Sequence, residues 1–443
     1  MTKSLFHIFI ATLIAKLVLL LFIPLVLDEY YYWVWGQNLQ WSYFDHPPMV
    51  GWIMAIGDFF RPLFAKGIRI PFVLISQATI FIWYLILKDR MSENKLALLI
   101  LVLSFNPLTG WGGMIATPDI PLLFFWSLAI HFAAKIELSP SAINYAGLGA
   151  SLGLGFSSKY VMVLILPCLL IYIFQKKLLH RVFHKYLFIS LLFGLLGSMP
   201  VLYWNWTHNW DSFLFQWRHG MEAPVWKVRW PFDYLLGQFF ILFPVFVWPL
   251  VRRMRSFLAN DFSTFALFPL AFFLYSSFKG RVEANWPIVA YPAFYGVAIQ
   301  VASKRLTNGM KRVLYFWVFC LVIVVSAITF VDNPKIKKLR IFEAAKYNVV
   351  LEYARKQPNT FVHNYQMASY LSFHLQKPFC KLPHFGRRDV YDYLPQCHKT
   401  PDHFFYIVVS YAKPDFDTFY PGYQVVDAQP FAEEYKILEV KKL

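Results

Sequence analysis

The sequence predicts an α-helical polytopic membrane protein with about eleven spans and a small α/β domain at its C-terminal end. Three observations carry this. Of the 443 residues 58% are hydrophobic and only 15% charged, where a soluble chain carries about a quarter charged residues. Apolar runs long enough to cross a bilayer recur as far as Phe330. Beyond Asp332 the composition turns mixed and charged. The aromatic share of 20% fits the same class, because Trp and Tyr favour the membrane interface.

The candidate spans are residues 5–27, 68–87, 96–112, 119–134, 142–157, 160–175, 186–204, 232–250, 262–278, 287–302 and 313–330. The first run is too long for the apolar core of a signal peptide, and an acidic aromatic segment stands where a small-residue cleavage site belongs, so it reads as a retained span. Gly and Pro interrupt several runs, as is common in membrane helices. Lys and Arg set the orientation. With the N-terminus inside, segments 1–4, 88–95, 135–141, 176–185, 252–261 and 303–312 hold sixteen of them, more than the outer connections. The formal charge of +17, which in a soluble protein would suggest nucleic acid, is thus partly a set of cytoplasmic anchors.

An odd span count places residues 332–443 outside. Residues 341–356 read as an amphipathic helix and Phe404–Ser410 as a buried strand. Cys168 and Cys320 lie in apolar runs. Cys380 and Cys397 lie in the tail, where an extracytoplasmic setting permits a disulfide but sequence leaves the pairing open. The expected domains are therefore a membrane part, 1–331, including an outer loop 28–67 with interfacial helices, and a periplasmic part, 332–443.

The unusual polar groups collect on the outer side. Asp28-Glu29 stands at the exit of the first span. A carboxylate there is partly desolvated and can act as a base; it can equally cap the next helix. Asp45-His46, before Pro47-Pro48, sits in a rigid extended turn, facing a phosphate, a divalent cation or only solvent. Two ligands fall short of a metal site. Asp119 opens an apolar run, as an N-cap or as an orienting acid. Lys159 is a lone cation between two apolar runs and needs an anion or a snorkelling path; Lys16, inside the first span, raises the same question. Lys279, Arg281, Glu283 and Asn285 precede a span on the side where positive charge is not expected, and Lys and Arg both bind phosphate. The connection 205–231 adds His208, Arg218, His219, Lys227 and Arg229, which suit a lipid headgroup or a resting place on the bilayer.

At these residues the chain resembles the bacterial branch of the GT-C glycosyltransferases, the group of protein O-mannosyltransferases and lipid A aminoarabinose transferases (families 39 and 83). The matching pieces are DEYYYWVWG (28–36), YFDHPPMVGW (43–52), ATPD (116–119), GLGFSSKY (153–160) and KGRVEANWP (279–287). The resemblance implies a GT-C fold and an inverting transfer of a sugar from a polyprenyl-phosphate donor to an envelope acceptor such as lipid A, a glycan or a protein. It implies a catalytic group of Asp28 as the base, Asp119 as its support and Glu29 as a structural or orienting neighbour. The aminoarabinose enzymes carry a phosphate-contacting Lys where this chain has His46, so that role passes to a protonated His46 or to Lys159 and Arg281. The resemblance requires no cofactor; a divalent cation at Asp45 and His46 stays open. It places the protein in the bacterial inner membrane, with the active site and tail on the periplasmic side. The tail carries no clue to the acceptor. The alternatives are a membrane transporter or lipid flippase, for which Lys16 speaks, and a non-catalytic scaffold. Charged groups at span ends rather than at the midplane favour the enzyme.

Overall fold

The computed structural model describes residues 1–182, 184–221, 226–357 and 359–443. Each of the eleven predicted runs is largely helical. In order the chain forms α1 (Lys3–Leu20), α2 (Leu27–Gln37), α3 (Met49–Asp58), α4 (Ile70–Leu87), α5 (Glu93–Phe105), α6 (Asp119–Leu138), α7 (Ala142–Phe156) and α8 (Ile165–Gln175). It continues with α9 (Leu187–Thr207), α10 (Asp211–Met221), α11 (Arg229–Ile241), α12 (Pro244–Arg252), α13 (Ser263–Ser277), α14 (Tyr291–Val301) and α15 (Lys304–Phe330). Among the described residues five helices are long and apolar enough to cross a membrane, and seven if each of two bent pairs counts as one span. The bends, 62° after α5 and 103° between α11 and α12, fall at Pro107 and Pro244, where the ring removes a backbone donor. The count by length is therefore lower than eleven, because several of the remaining apolar helices are shorter than a bilayer is thick.

The run 5–27 is not one helix. α1 stops at Leu20, residues 24–26 are not helical, and α2 starts at Leu27. Asp28 thus lies in the first turn of a new helix rather than at the tip of a span. The aromatic run that follows is also not at a lipid interface. Tyr30 to Trp35 are all buried, between α3 and the tail helix α17 (Tyr365–Leu375). Tyr30 meets Tyr370 and Phe373 at centroid distances of 5.1 Å, and Tyr31 meets Tyr365 at 4.4 Å. The rings are here a protein core, bringing large apolar areas together.

Small residues set the packing of α7. A Cβ on Gly149 would stand 2.0 Å from the Ser190 carbonyl oxygen, and one on Gly153 2.3 Å from that of Gly194. Only Gly lets these two backbones approach so closely, the small-residue contact common between membrane helices. The contact fixes the end of α7, where Ser157 Oγ donates to the Gly197 carbonyl at 2.6 Å and Lys159 follows.

The tail contains α16 (Asn348–Lys356), preceded by a 3₁₀ turn over Arg340–Tyr347, then α17 and a four-stranded sheet. Strands β1 (Thr360–Val362), β2 (His403–Val409), β3 (Tyr423–Phe431) and β4 (Tyr435–Lys442) take the order β1-β2-β4-β3. β1 and β2 are parallel and the other pairs antiparallel, with Tyr406 opposite Leu438. The predicted strand is β2, and the predicted amphipathic helix is the 3₁₀ turn plus α16. Cys380 and Cys397 form a disulfide. The core of the tail is continuous with α2 and α3.

Candidate active site

Consecutive helical residues point about 100° apart, and this separates Asp28 from Glu29. Glu29 is fully buried and turned away from the cavity described below. Its Oε1 accepts from Arg69 Nε at 2.6 Å and from the Ala116 N–H at 2.9 Å; its Oε2 accepts from Arg69 Nη2 at 2.5 Å and from the Val26 N–H at 2.9 Å. Arg69 also donates to the carbonyls of Ile23 and Pro24, at 3.0 and 2.8 Å. One buried pair therefore pins the break after α1, the start of α2 and the loop that leads to Asp119.

Asp28 opens instead into a cavity of about 810 Å³, lined also by Asp45, His46, Asp119, Lys159 and Asn285. The residue is exposed into this open cavity. Crowding by the protein around its carboxylate nonetheless raises its pKa, opposed by a hydrogen bond from Gln366 and by the charge of Arg340.

Asp119 accepts from Lys159 Nζ at 2.7 Å and from Asn285 Nδ2 at 2.7 Å. Three weak sequence signals, from three separate connections, thus form one cluster. Asp45 is buried. Its Oδ2 accepts from the Tyr31 hydroxyl at 2.5 Å and its Oδ1 pairs with Arg387. Burial raises the Asp45 pKa as well, opposed by Arg387 and Tyr31. His46 lines the cavity beside the Tyr32 ring, at 6.5 Å between centroids.

Not every predicted residue joins. Glu283 lines the cavity. Arg281 does not; it is mostly exposed and pairs with Glu283 at 3.4 Å. Lys279 stacks over Tyr275 at 4.9 Å, also off the cavity wall. Both sit where the chain enters the short turn 278–284, so their length carries them outward. The side chain of His219 lies outside the described residues. His208 stacks on Trp204 at 4.1 Å. Lys16 is buried and donates to Ser76 Oγ at 3.2 Å rather than snorkelling. Both Asp45 oxygens are engaged by the protein, and among the described residues no group of three or more His, Cys, Asp and Glu gathers.

The tail supplies residues that the sequence reading missed. Tyr365 and Arg387 line the cavity and Gln366 holds Asp28. The available signal was the charge cluster Lys381, Arg387, Arg388, Asp389 and Asp392 between the two tail cysteines.

A family profile described as dolichyl-phosphate-mannose-protein mannosyltransferase matches residues 45–204. The crystal structure of ArnT from Cupriavidus metallidurans bound to undecaprenyl phosphate superposes with a TM-score of 0.70 at 14% identity, covering 99% of this chain and 98% of that one. The fold is GT-C. The apo form of the same ArnT gives 0.68 at 13% identity, with 97% of each chain covered. The GT-C match extends through the tail as well as the helices. The lipid A galacturonosyltransferase RgtD of Rhizobium johnstonii is 22% identical over 299 residues, which cover 64% of this chain and 62% of that protein. The GT-C resemblance read from the five motifs stands.

Proposed function

We propose that the protein is an inverting glycosyltransferase of the bacterial inner membrane, moving a sugar from a polyprenyl-phosphate carrier to an envelope acceptor such as lipid A, a glycan or a protein. The observation that carries the reading is a carboxylate, Asp28, on the wall of a cavity that also holds Lys159 and His46. The likeness to ArnT bound to undecaprenyl phosphate supports the carrier class, and the likeness to the lipid A galacturonosyltransferase RgtD supports an envelope acceptor. A membrane setting is supported by the outward faces of α9 and α15, where Phe188, Leu191, Leu195, Phe316, Phe319 and Ile323 are exposed; such a surface suits hydrocarbon.

In the proposed reaction the acceptor's O–H or N–H bond breaks and Asp28 takes the proton. The freed electron pair attacks the anomeric carbon in line. The bond from that carbon to the carrier phosphate oxygen breaks, and the phosphate leaves with the bonding pair. A single displacement inverts the configuration. The raised pKa of Asp28 makes it a stronger base than a solvated carboxylate. Lys159 and a protonated His46 stabilise the charge growing on the leaving phosphate. Asp119 and Asn285 aim Lys159, and Glu29 with Arg69 sets the direction in which Asp28 points. Arg281 stands at the rim, paired with the cavity-lining Glu283.

The test is incubation of purified protein in lipid nanodiscs with a labelled polyprenyl-phosphate sugar and a cell-envelope extract. Labelled product together with free carrier phosphate is expected. Asp28→Asn should fold and bind carrier yet lose transfer. Turnover near that of the unmodified protein in this variant would sink the assignment. Movement of label across a sealed vesicle without transfer would favour the transporter reading.

A further inference from the structure

Arg387 is the one guanidinium on the cavity wall among the described residues. It reaches the cavity from the tail, 342 residues beyond its partner Asp45. Four features hold it there. The disulfide Cys380–Cys397 closes the segment that carries it, with the two Cα atoms 5.4 Å apart. Within that segment Lys381, buried, donates to the Arg387 carbonyl at 2.7 Å and pairs with Asp389 and Asp392 at 2.9 Å each. Tyr31 ties the segment to α2, because its hydroxyl accepts from the Val390 N–H at 3.0 Å while donating to Asp45. The guanidinium itself lies over the rings of Tyr365 and Phe215, at 4.9 and 5.5 Å.

The side chain is nonetheless not consumed by these contacts. It is 47% exposed, and its hydrogen bond to Asp45 uses Nη2 alone, whereas a guanidinium offers five N–H donors in a planar fork. A donor fork aimed into a cavity matches the geometry of a phosphate ester. Lys159, the other permanent cation on the wall, is held by Asp119, so Arg387 adds a second cation to the one already assigned to the phosphate.

We infer that Arg387, paired with Asp45, is a phosphate-recognising residue of this cavity, and that the disulfide Cys380–Cys397 is the positioning device that delivers it. The inference rests on the glycosyl-transfer reading and adds a substrate contact from the tail. A phosphate that takes the free donors shares Arg387 with Asp45 or displaces it, and the two stacked rings keep the fork in plane. The bond would then make the site complete only in a compartment that oxidises thiols.

The test uses full-length protein in nanodiscs. Arg387→Ala and Arg387→Lys are compared with the pair Cys380→Ser/Cys397→Ser and with all three substitutions together. Arg387→Ala should lower kcat/KM for transfer by tenfold or more when assayed well below its own melting temperature, and Arg387→Lys should recover part of it. The cysteine pair should reduce transfer by a comparable factor. Combined with Arg387→Ala it should cost less than about twofold further, because groups that act through one another are not additive. Two binding arms identify the source of the phosphate. Weakened binding of undecaprenyl phosphate, with undecaprenol as control, assigns Arg387 to the carrier. Weakened binding of lipid A relative to its dephosphorylated form assigns it to the acceptor. Unchanged binding in both arms overturns the inference, as does a cysteine-pair loss that multiplies fully with that of Arg387→Ala. If the unmodified protein transfers no sugar, it is the glycosyltransferase reading that fails; the two binding arms still report on Arg387.

Discussion

Replacing Glu29 by Gln keeps the shape of the side chain and removes its charge. In the native protein four donors converge on the carboxylate: two N–H groups of Arg69 and the backbone N–H groups of Val26 and Ala116. An amide has one acceptor oxygen, so its NH2 group must face two of the four donors. Two hydrogen bonds are lost in either orientation, one from Arg69 and one from a backbone N–H. At about 1.5–3 kcal/mol for the bond to the charged group and about 1 for the backbone one, the loss is about 2.5–4 kcal/mol. The general cost of breaking a buried ion pair by removing one partner, about 3–5 kcal/mol, overlaps this range, and both Glu29 and Arg69 have 0% side-chain exposure. Urea denaturation of protein in detergent, followed by Trp fluorescence, measures it. A second arm replaces both partners, Glu29→Gln with Arg69→Met, which removes the orphaned charge. The double variant should be more stable than Glu29→Gln alone, with a coupling of about 1–3 kcal/mol. A Glu29→Gln protein as stable as the native one, or strict additivity in the cycle, would refute the clamp.

Three further expectations follow from the site and its supports. Because Asp28 must be ionised to take a proton and its pKa is raised, transfer should fall as pH drops, with an acid limb lying above the ordinary carboxylate range of about 4; a limb at or below that range in a kcat profile counts against Asp28 as the base. Gly149→Val places a side chain where a Cβ already stands 2.0 Å from the Ser190 carbonyl, so α7 and α9 must separate; destabilisation of about 1–3 kcal/mol and reduced transfer are expected, read by melting and by assay. Lys159→Met removes the partner of Asp119 and a cation from the wall; transfer should fall at least tenfold, and an unaffected rate would show that Lys159 does not face the reacting phosphate.

Much of the helical frame was legible because an apolar run is a local property. The eleven runs, β2 and the acid-rich first connection can each be read from a short window. What a window cannot hold is the pairing of distant groups. Asp28 and Glu29 look interchangeable as residue types, and only the GT-C resemblance favours Asp28 as the base. The physical reason appears when Arg69, forty residues on, takes Glu29 and leaves Asp28 to the cavity. Lys279 and Arg281 looked as eligible as Lys159, since exposure is invisible in sequence. The run 5–27 hid a helix break that hydropathy does not register, because Arg69 satisfies the carbonyls of Ile23 and Pro24 from another element.

By itself the sequence determined a chain of apolar helices with its chemistry gathered at their ends, and it located the carboxylate pair. Composition fixes that much, since apolar segments must leave water and charged ones resist leaving it. Only the tertiary structure decided which carboxylate opens into the cavity and that the tail helps to build it through Tyr365, Gln366 and Arg387. The physical reason is that hydrogen bonds and ion pairs act over a few ångströms, so partners hundreds of residues apart meet only once the core between α2, α3 and the tail has packed.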